Sequence, residues 1–149
     1  MSPEEGKALV RRRFEELDRR NFSILDELFS DKYVLNFPSA ERPLSLEQTK
    51  RLYEALYHAF PDLEHTIEDQ IADGDKVVTR WIARGTHRGE LMGIEPTERA
   101  IDFGGINIYR LDGDKLTESH VSWDIHGLLQ QLGAVPEKPV FPTDLLRDG

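Results

Sequence analysis

The sequence contains no cysteine, which excludes disulfide bonds, thiolate catalysis and cysteine-ligated zinc. It also lacks a run of about twenty apolar residues, the length that a membrane-spanning helix needs. No apolar segment of signal-peptide type occurs in its first residues, MSPEEGKALVRRRFEEL. We therefore expect a cytoplasmic protein that has no membrane partner and that folds without disulfide bonds.

Basic residues are scarce relative to acidic ones. Lys and Arg number 19 and Asp and Glu number 28, which gives a formal net charge of −9 at pH 7. Because nucleic acids are bound mainly through basic side chains, we expect no nucleic-acid partner. Acidic residues are interleaved with a cluster of arginines on one predicted helix, a pattern typical of a solvated, ion-paired helix face. The clustered residues are Arg11, Arg12, Arg13, Arg19 and Arg20.

Motifs for metal binding and for a serine nucleophile are also missing. The five histidines, at positions 58, 65, 87, 120 and 126, show no compact spacing of two histidines with a carboxylate. No GxSxG elbow occurs either. We predict that the protein uses neither a metal ion nor an organic cofactor.

The predicted elements are helices first and long strands later. Helix starts are indicated at Ser2, Ser23 and Ser45. Hairpin turns between strand-like runs are indicated at Asp73–Asp75 and Asp112–Asp114. This order predicts an α+β fold with an antiparallel or mixed sheet. A sheet of long strands curls, and wrapped around the N-terminal helices it forms a cone whose open end is an internal pocket.

One domain accounts for the whole chain. With 149 residues, of which 38% are hydrophobic, the chain can bury enough apolar surface for a single core. We predict a domain over residues 1–135 and a C-terminal tail of the same domain over residues 136–149. Prolines at positions 136, 139 and 142 exclude regular structure over most of this tail.

The stretch Leu116–Gly133 carries the candidate catalytic acid, Asp124. At the two-residue period of a strand, Asp124 shares a face with Glu118, His120 and Ser122, while the other face carries Thr117, Ser119, Val121 and Trp123. A helical period begins after Asp124. Two interpretations are open: Asp124 is an acid/base that faces an enclosed cavity, or it is the N-cap of the following helix. Burial would raise its pKa, whereas cap hydrogen bonds would lower it.

Six further residues are candidates for the pocket wall, namely His120, Trp123, Asn107, Arg80, His87 and Tyr53. His120 precedes Asp124 by about 13 Å along an ideal strand, so it meets the far end of a ligand or pairs across strands. Arg80 is either exposed or paired with a carboxylate or a substrate oxygen, because burying it alone is unfavourable. Tyr53 belongs to an aromatic stripe that is typical of core packing, although its hydroxyl can reach a cavity.

The region Phe60–Gly133 carries a series of short motifs. They are FPD at Phe60–Asp62, GD at Gly74–Asp75, GTHRG at Gly85–Gly89, PT at Pro96–Thr97 and D..GLLQQLG from Asp124. With the N-terminal helices, their order resembles the SnoaL-like polyketide cyclases of the nuclear-transport-factor-like superfamily over nearly the whole chain. Two positions depart from the family pattern, since Glu98 replaces a frequent glycine and the aromatic residue that is common near His120 is missing.

The resemblance implies a cone-shaped α+β barrel, a homodimer or larger homo-oligomer, and a small hydrophobic or polyketide-like ligand. In the founding cyclases the reaction is a cofactor-independent intramolecular aldol condensation of a polyketide ester. Their catalytic acid/base is an aspartate at the end of the last strand, which maps to Asp124. A free aspartate has a pKa of about 3.9, so this role requires a cavity that raises the pKa.

Two other functions stay open. The same fold serves non-catalytic ligand-binding or scaffold proteins, and isomerases, hydratases or epoxide hydrolases use the same pocket. A largely apolar pocket that encloses Asp124 favours catalysis, whereas Asp124 at a solvent-facing helix cap favours a scaffold.

Overall fold

The computed structural model of the protein describes residues 1–38 and 40–136, which form four helices and six strands. In chain order these are α1 (Pro3–Asp18), α2 (Ile24–Leu28), β1 (Phe29–Asn36), β2 (Leu44–Ser45), α3 (Leu46–Ala59), β3 (Glu64–Asp73), β4 (Lys76–Thr86), β5 (Ala100–Asp112), β6 (Lys115–Trp123) and α4 (Ile125–Gln131). The predicted tail lies outside the described residues from position 137 onward. Within the described part, none of the helices combines the length and the apolar character needed to cross a membrane.

Two of the predicted helix starts are hydrogen-bonded capping boxes. The hydroxyl groups of Ser2 and Ser45 each accept from a backbone N–H three residues later, at 3.1 and 3.2 Å. Each box satisfies backbone donors that the first turn leaves unpaired. The predicted cap at Ser23 is wrong, because this hydroxyl donates to the side-chain oxygen of Asn21 instead (2.5 Å).

Turn geometry explains where the elements end. Gly74 and Gly113 lie in the two predicted hairpin turns with φ angles of +60° and +59°, a conformation that glycine adopts without steric cost. The first helix ends at Asp18. The φ angle of +67° at Arg20 turns the chain out of the helical path.

The six strands form one curled, mixed sheet in the order β2-β1-β6-β5-β4-β3. β1 and β6 are parallel, and the other neighbouring pairs are antiparallel. α1 packs on β3 and β4, and α3 packs on β1. The predicted α+β fold, a mixed sheet around N-terminal helices, is confirmed.

Successive side chains along each strand point to opposite sides of the sheet, so the sheet has a buried inner face and an exposed outer face. The inner face of β4 carries Val77, Thr79, Trp81 and Ala83, which are all buried. On β6, Ser119 is buried and His120 is exposed. The inner face of β6 therefore also carries Val121 and Trp123, and Asp124 continues the outer face.

Candidate active site

A cavity of about 60 Å³ lies between the inner face of the sheet and helices α1 and α3. Most of its wall is apolar or aromatic, including Phe14, Leu35, Phe103 and Trp123. A few polar side chains converge on the same space, and such a combination is typical of small-molecule sites. They are Arg13, Tyr53, Tyr57, His65 and Asn107.

His65 on β3 is paired with Asp18 at the end of α1. Nδ1 of His65 lies 2.8 Å from Oδ1 of Asp18, and the His65 backbone N–H donates to Oδ2 (2.7 Å). The Tyr57 hydroxyl donates to the same carboxylate (2.7 Å). Because an ionised carboxylate only accepts, the proton of the neutral imidazole is on Nδ1. Nε2 has no hydrogen-bond partner within residues 1–38 and 40–136, and the residue lines the cavity.

Burial and hydrogen bonds set the charge state of this pair. Desolvation lowers the pKa of His65 below its ordinary value of 6.5, although Asp18 opposes the shift. Desolvation by itself raises the pKa of Asp18, but the hydrogen bonds from His65 and Tyr57 outweigh it, and the pKa falls below 3.8. At neutral pH the pair is therefore a neutral imidazole beside a carboxylate, the form in which a histidine acts as a base.

Arg13 reaches the cavity from α1 and is only 5% exposed. Its Nη2 donates to the hydroxyl of Tyr53 (2.5 Å). Its guanidinium carbon lies 4.2 Å from the ring centre of Phe14. A guanidinium stays protonated in proteins, so the cavity wall carries a permanent positive charge. The prediction that all five clustered arginines are solvated is wrong for Arg13.

Asn107 fixes the indole ring of Trp81 on the cavity wall. Its Oδ1 accepts from Nε1 of Trp81 (2.6 Å), and its Nδ2 donates to the hydroxyl of Ser119 (3.1 Å). Gly105 is opposite Trp81 in the β4–β5 register, and a Cβ there would lie 2.4 Å from the indole. Glycine at position 105 thus leaves room for the ring, and Asn107 positions it.

Three of the predicted pocket residues line this cavity, namely Tyr53, Asn107 and Trp123. Arg80 and His120 do not, because both lie on the outer face of the sheet and are exposed. Nε2 of His120 pairs with Oε1 of Glu118 at 2.7 Å. Arg80 and His120 are therefore not part of the wall of this cavity, because their side chains point to the outer face of β4 and β6. Arg80 lines a separate cleft together with Trp123 and Asp124.

His87 is wholly buried but lies away from the cavity wall. Its Nδ1 accepts from the Thr97 backbone N–H (3.1 Å), and its ring centre lies 5.7 Å from that of Phe60. These contacts connect the two ends of the loop that follows β4, and His87 is not part of the wall of this cavity. Within residues 1–38 and 40–136, no three histidine, aspartate or glutamate side chains are placed to hold a metal ion.

Asp124 lies outside the cavity and caps α4. Its Oδ1 accepts from the Gly127 backbone N–H (2.9 Å), and the residue is exposed. The strand period explains this placement, because Asp124 is one residue from the inward-facing Trp123 and so points to the opposite face. Of the two interpretations, the N-cap is the one that the hydrogen bond and the exposure support. Asp124 also lines the separate cleft that contains Arg80 and Trp123.

Sequence reasoning missed His65, Asp18 and Arg13 as cavity residues. Arg13 lies three residues after Val10 and four before Leu17, so the apolar stripe of α1 is the signal that indicates its burial. No local spacing links Asp18 to His65, because 47 residues separate them. Their contact depends on the packing of α1 against β3.

The chain is similar in sequence to a known family. The sequence profile of the SnoaL-like polyketide cyclases matches residues 8–132. This match confirms the resemblance that the motifs indicated. No curated protein sequence matches the chain significantly.

Solved structures with the same fold cover most of the chain. AclR from Streptomyces galilaeus, provisionally assigned as a hydroxylase, has a TM-score of 0.86 and 27% identity, over 93% of this chain and 87% of AclR. A protein from Acidithiobacillus ferrooxidans, provisionally assigned as a polyketide cyclase, has a TM-score of 0.79 and 31% identity, over 90% and 99% of the two chains. IdmH from Streptomyces antibioticus carries the same provisional assignment, with a TM-score of 0.77 and 29% identity over 86% and 98%.

Proposed function

Because the chain belongs to the SnoaL-like polyketide cyclase family, we propose that it is a cofactor-independent enzyme that closes a ring in a small, hydrophobic, polyketide-like molecule. The proposed reaction is an intramolecular aldol condensation in the cavity. The observation that carries the proposal is the His65–Asp18 pair, a neutral base with a carboxylate partner in a largely apolar wall. We assign the acid/base role to His65 rather than to Asp124, because Asp124 faces solvent.

The aldol step moves one proton from carbon to oxygen. Nε2 of His65 takes the proton from a carbon between two carbonyl groups, and the electron pair left on this carbon forms the new C–C bond to a third carbonyl carbon. The π electrons of the attacked carbonyl move onto its oxygen, which then takes the proton from Nε2. His65 returns to its neutral form, so the step needs no further reactant.

Asp18 stabilises the imidazolium that exists between the two proton transfers. Its carboxylate lies 2.8 Å from Nδ1, which fixes the ring orientation. Its negative charge favours the protonated ring as the positive charge develops. A positioned acid/base contributes roughly 10²- to 10⁴-fold in rate. The remaining acceleration comes from holding the two reacting carbons together.

The size of the cavity limits what it encloses. Its volume of about 60 Å³ is well below the roughly 300 Å³ of the smallest sites for drug-sized ligands. We propose that the cavity takes the reacting end of the substrate. The rest of the substrate then lies against the half-buried side of the wall, at Phe37, Leu52 and Leu56.

The test is ring closure by matched variants of His65 and Asp124. The purified protein is given linear polyketide esters that contain a 1,3-dicarbonyl group, and the cyclised product is measured by chromatography and mass spectrometry. We expect His65→Gln to lower the rate by about 10²-fold or more. We expect Asp124→Asn to leave the rate unchanged, since asparagine caps a helix as well as aspartate does. A normal rate in His65→Gln together with loss in Asp124→Asn would overturn the assignment.

A ligand-binding protein without catalysis is the second candidate, and the position of Asp124 favours it. The family resemblance implies a catalytic role for Asp124, but this residue is an exposed helix cap. On this alternative, the wild-type protein and His65→Gln bind polyketide esters equally well and neither of them cyclises the esters.

We also propose that the protein forms a homodimer through the outer face of the sheet. Val34, Ile106 and Ile108 are 36%, 43% and 41% exposed on this face. A sheet face with exposed apolar residues is usually covered by another element or subunit. Sedimentation should therefore show twice the monomer mass of 17.1 kDa, and Ile106→Lys should shift the protein to the monomer. A wild-type protein that is monomeric at micromolar concentration would contradict this proposal.

A further inference from the structure

The guanidinium of Arg13 is a charged group of the cavity that the proposed mechanism does not use. We infer that the ligand of the cavity is an organic acid and that its carboxylate binds Arg13. This inference rests on the proposed function in naming a substrate class for the same cavity. It concerns binding alone, however, and is testable without turnover.

Arg13 has no counter-ion in the described part of the chain. Its Nη2 is bound to the neutral oxygen of Tyr53, its Nε is buried and unpaired, and its Nη1 has no hydrogen-bond partner within residues 1–38 and 40–136. The carboxylate of Asp18 is engaged by His65 and does not form an ion pair with Arg13. A guanidinium cannot escape burial by losing its proton. A buried charge that lacks a partner is strongly unfavourable.

Aromatic rings compensate this charge only in part. The guanidinium carbon lies 4.2, 4.8 and 5.9 Å from the ring centres of Phe14, Tyr53 and Tyr109. Ring faces attract a cation through their quadrupole, but they do not provide the oxygen acceptors that the unpaired N–H groups need. A ligand carboxylate supplies both the negative charge and the acceptors, and its two oxygens match the planar fork of arginine.

The rest of the cavity defines which anion fits. Arg13 contributes one positive charge, and His65 is neutral because burial lowers its pKa. The surrounding wall is mostly apolar, and the space is about 60 Å³. A monoanion attached to a hydrophobic body matches one charge in such a wall. A phosphate, which carries a charge of about −1.5 to −2 at neutral pH, does not.

The inference is tested by titrating the protein with benzoate and with methyl benzoate at pH 7. The chain has two tryptophans, and both Trp81 and Trp123 line the cavity, so their fluorescence reports on its occupation. We expect benzoate to bind roughly tenfold more tightly than the ester, because only the acid forms charge-assisted hydrogen bonds with Arg13. A wild-type protein that binds the ester as tightly as the acid would overturn the inference.

Arg13→Met and Arg12→Met are the matched variants. Arg12 is the neighbouring residue on α1, but half of its side chain is exposed and it pairs with Glu27 at 2.8 Å. We expect Arg13→Met to lose the preference for benzoate and to keep the affinity for methyl benzoate, whereas Arg12→Met keeps both. If Arg13→Met does not fold, Arg13→Gln, which retains an amide donor for Tyr53, takes its place. A preference for the acid that survives removal of the Arg13 charge would contradict the inference.

His65→Gln separates this inference from the proposed function. This variant should keep the wild-type preference for benzoate and lose ring closure. Ring closure by a wild-type protein that shows no preference for the acid would overturn the inference alone. A preference for the acid in a wild-type protein that cyclises neither the polyketide esters nor the corresponding free acids would overturn the proposed function alone.

Discussion

Two aspartates stand at helix ends and differ in what satisfies their carboxylates. Asp124 precedes the first turn of α4, accepts from a backbone N–H of that turn and faces solvent. Asp18 is the last residue of α1, where the helix dipole disfavours an anion. Its side chain is only 16% exposed, and its donors, His65 and Tyr57, come from two other elements.

The difference separates a structural acid from a functional candidate. Local structure is sufficient to explain the position of Asp124, because its carboxylate accepts from the first turn of its own helix. Local structure opposes Asp18, so the tertiary contacts to β3 and α3 must account for it. Those contacts place a neutral His65 at the cavity wall. Perturbed charge states beside a cavity are a feature of functional sites.

The largest expected effect is on the rate of ring closure. Asp18→Asn removes the negative charge that stabilises the imidazolium, so kcat should fall by about 10²-fold or more. Binding of methyl benzoate should change little, because Asp18 lies behind His65. Asp124→Asn is the control and should keep the wild-type kcat. Equal losses of kcat in the two variants would contradict the conclusion that Asp18, and not Asp124, supports the reaction.

The next effect is on stability, measured as the free energy of unfolding in urea. Asp18→Ala leaves the side-chain and backbone donors of His65 and the hydroxyl of Tyr57 without their acceptor. Unsatisfied buried donors cost about 1–3 kcal/mol each, and we expect a total loss of about 3 kcal/mol after partial relaxation. Asp124→Ala removes one cap bond and should lose about 1 kcal/mol. A larger loss for Asp124→Ala would reverse the comparison.

A third effect is the pH dependence of stability. The pKa of His65 in the folded protein lies below its ordinary value of 6.5. As the pH falls, His65 is therefore protonated in the unfolded chain before it is protonated in the folded protein. The free energy of unfolding decreases as a result from about pH 6.5 downward. Asp18 has a folded pKa below 3.8, so its contribution is present above that value and is lost as the pH falls through the lower folded pKa. Urea unfolding between pH 8 and 5 isolates the first process. His65→Gln should show a smaller decrease than the wild-type protein, and identical curves would contradict a buried neutral imidazole.

The sequence predicts the fold well because the signals for it are local. The capping boxes at Ser2 and Ser45 and the turns at Gly74 and Gly113 depend on neighbouring residues only. The local sequence does not determine which face of β6 points into the core. Both of its faces carry polar residues, and the pairing with β5 and the packing of the helices select the one with Trp123.

The site is less predictable because its members are far apart in the chain. His65 and Asp18 meet only when α1 packs on β3, and residue type alone assigns Arg13 to the surface. The family resemblance located the last strand and the helix after it correctly. It assigned the function of Asp124 from its position along the chain, whereas the carboxylate is on the outer face of the sheet.

The smallest expected effect is on the stability of Asp124→Asn, and it tests the cap directly. A buried acid in an apolar cavity would gain stability on replacement by asparagine, because the desolvation of a charge is removed. An exposed cap keeps its hydrogen bond to the Gly127 N–H, since asparagine is as good an N-cap as aspartate. The variant then loses only the attraction between a negative charge and the helix dipole, about 0.3–1 kcal/mol at low salt. This loss should shrink in 1 M NaCl, where the screening length is roughly 3 Å. Urea unfolding of the wild-type protein and the variant at low and high salt measures this loss of stability. An increase in stability that does not depend on salt would indicate that Asp124 is buried instead.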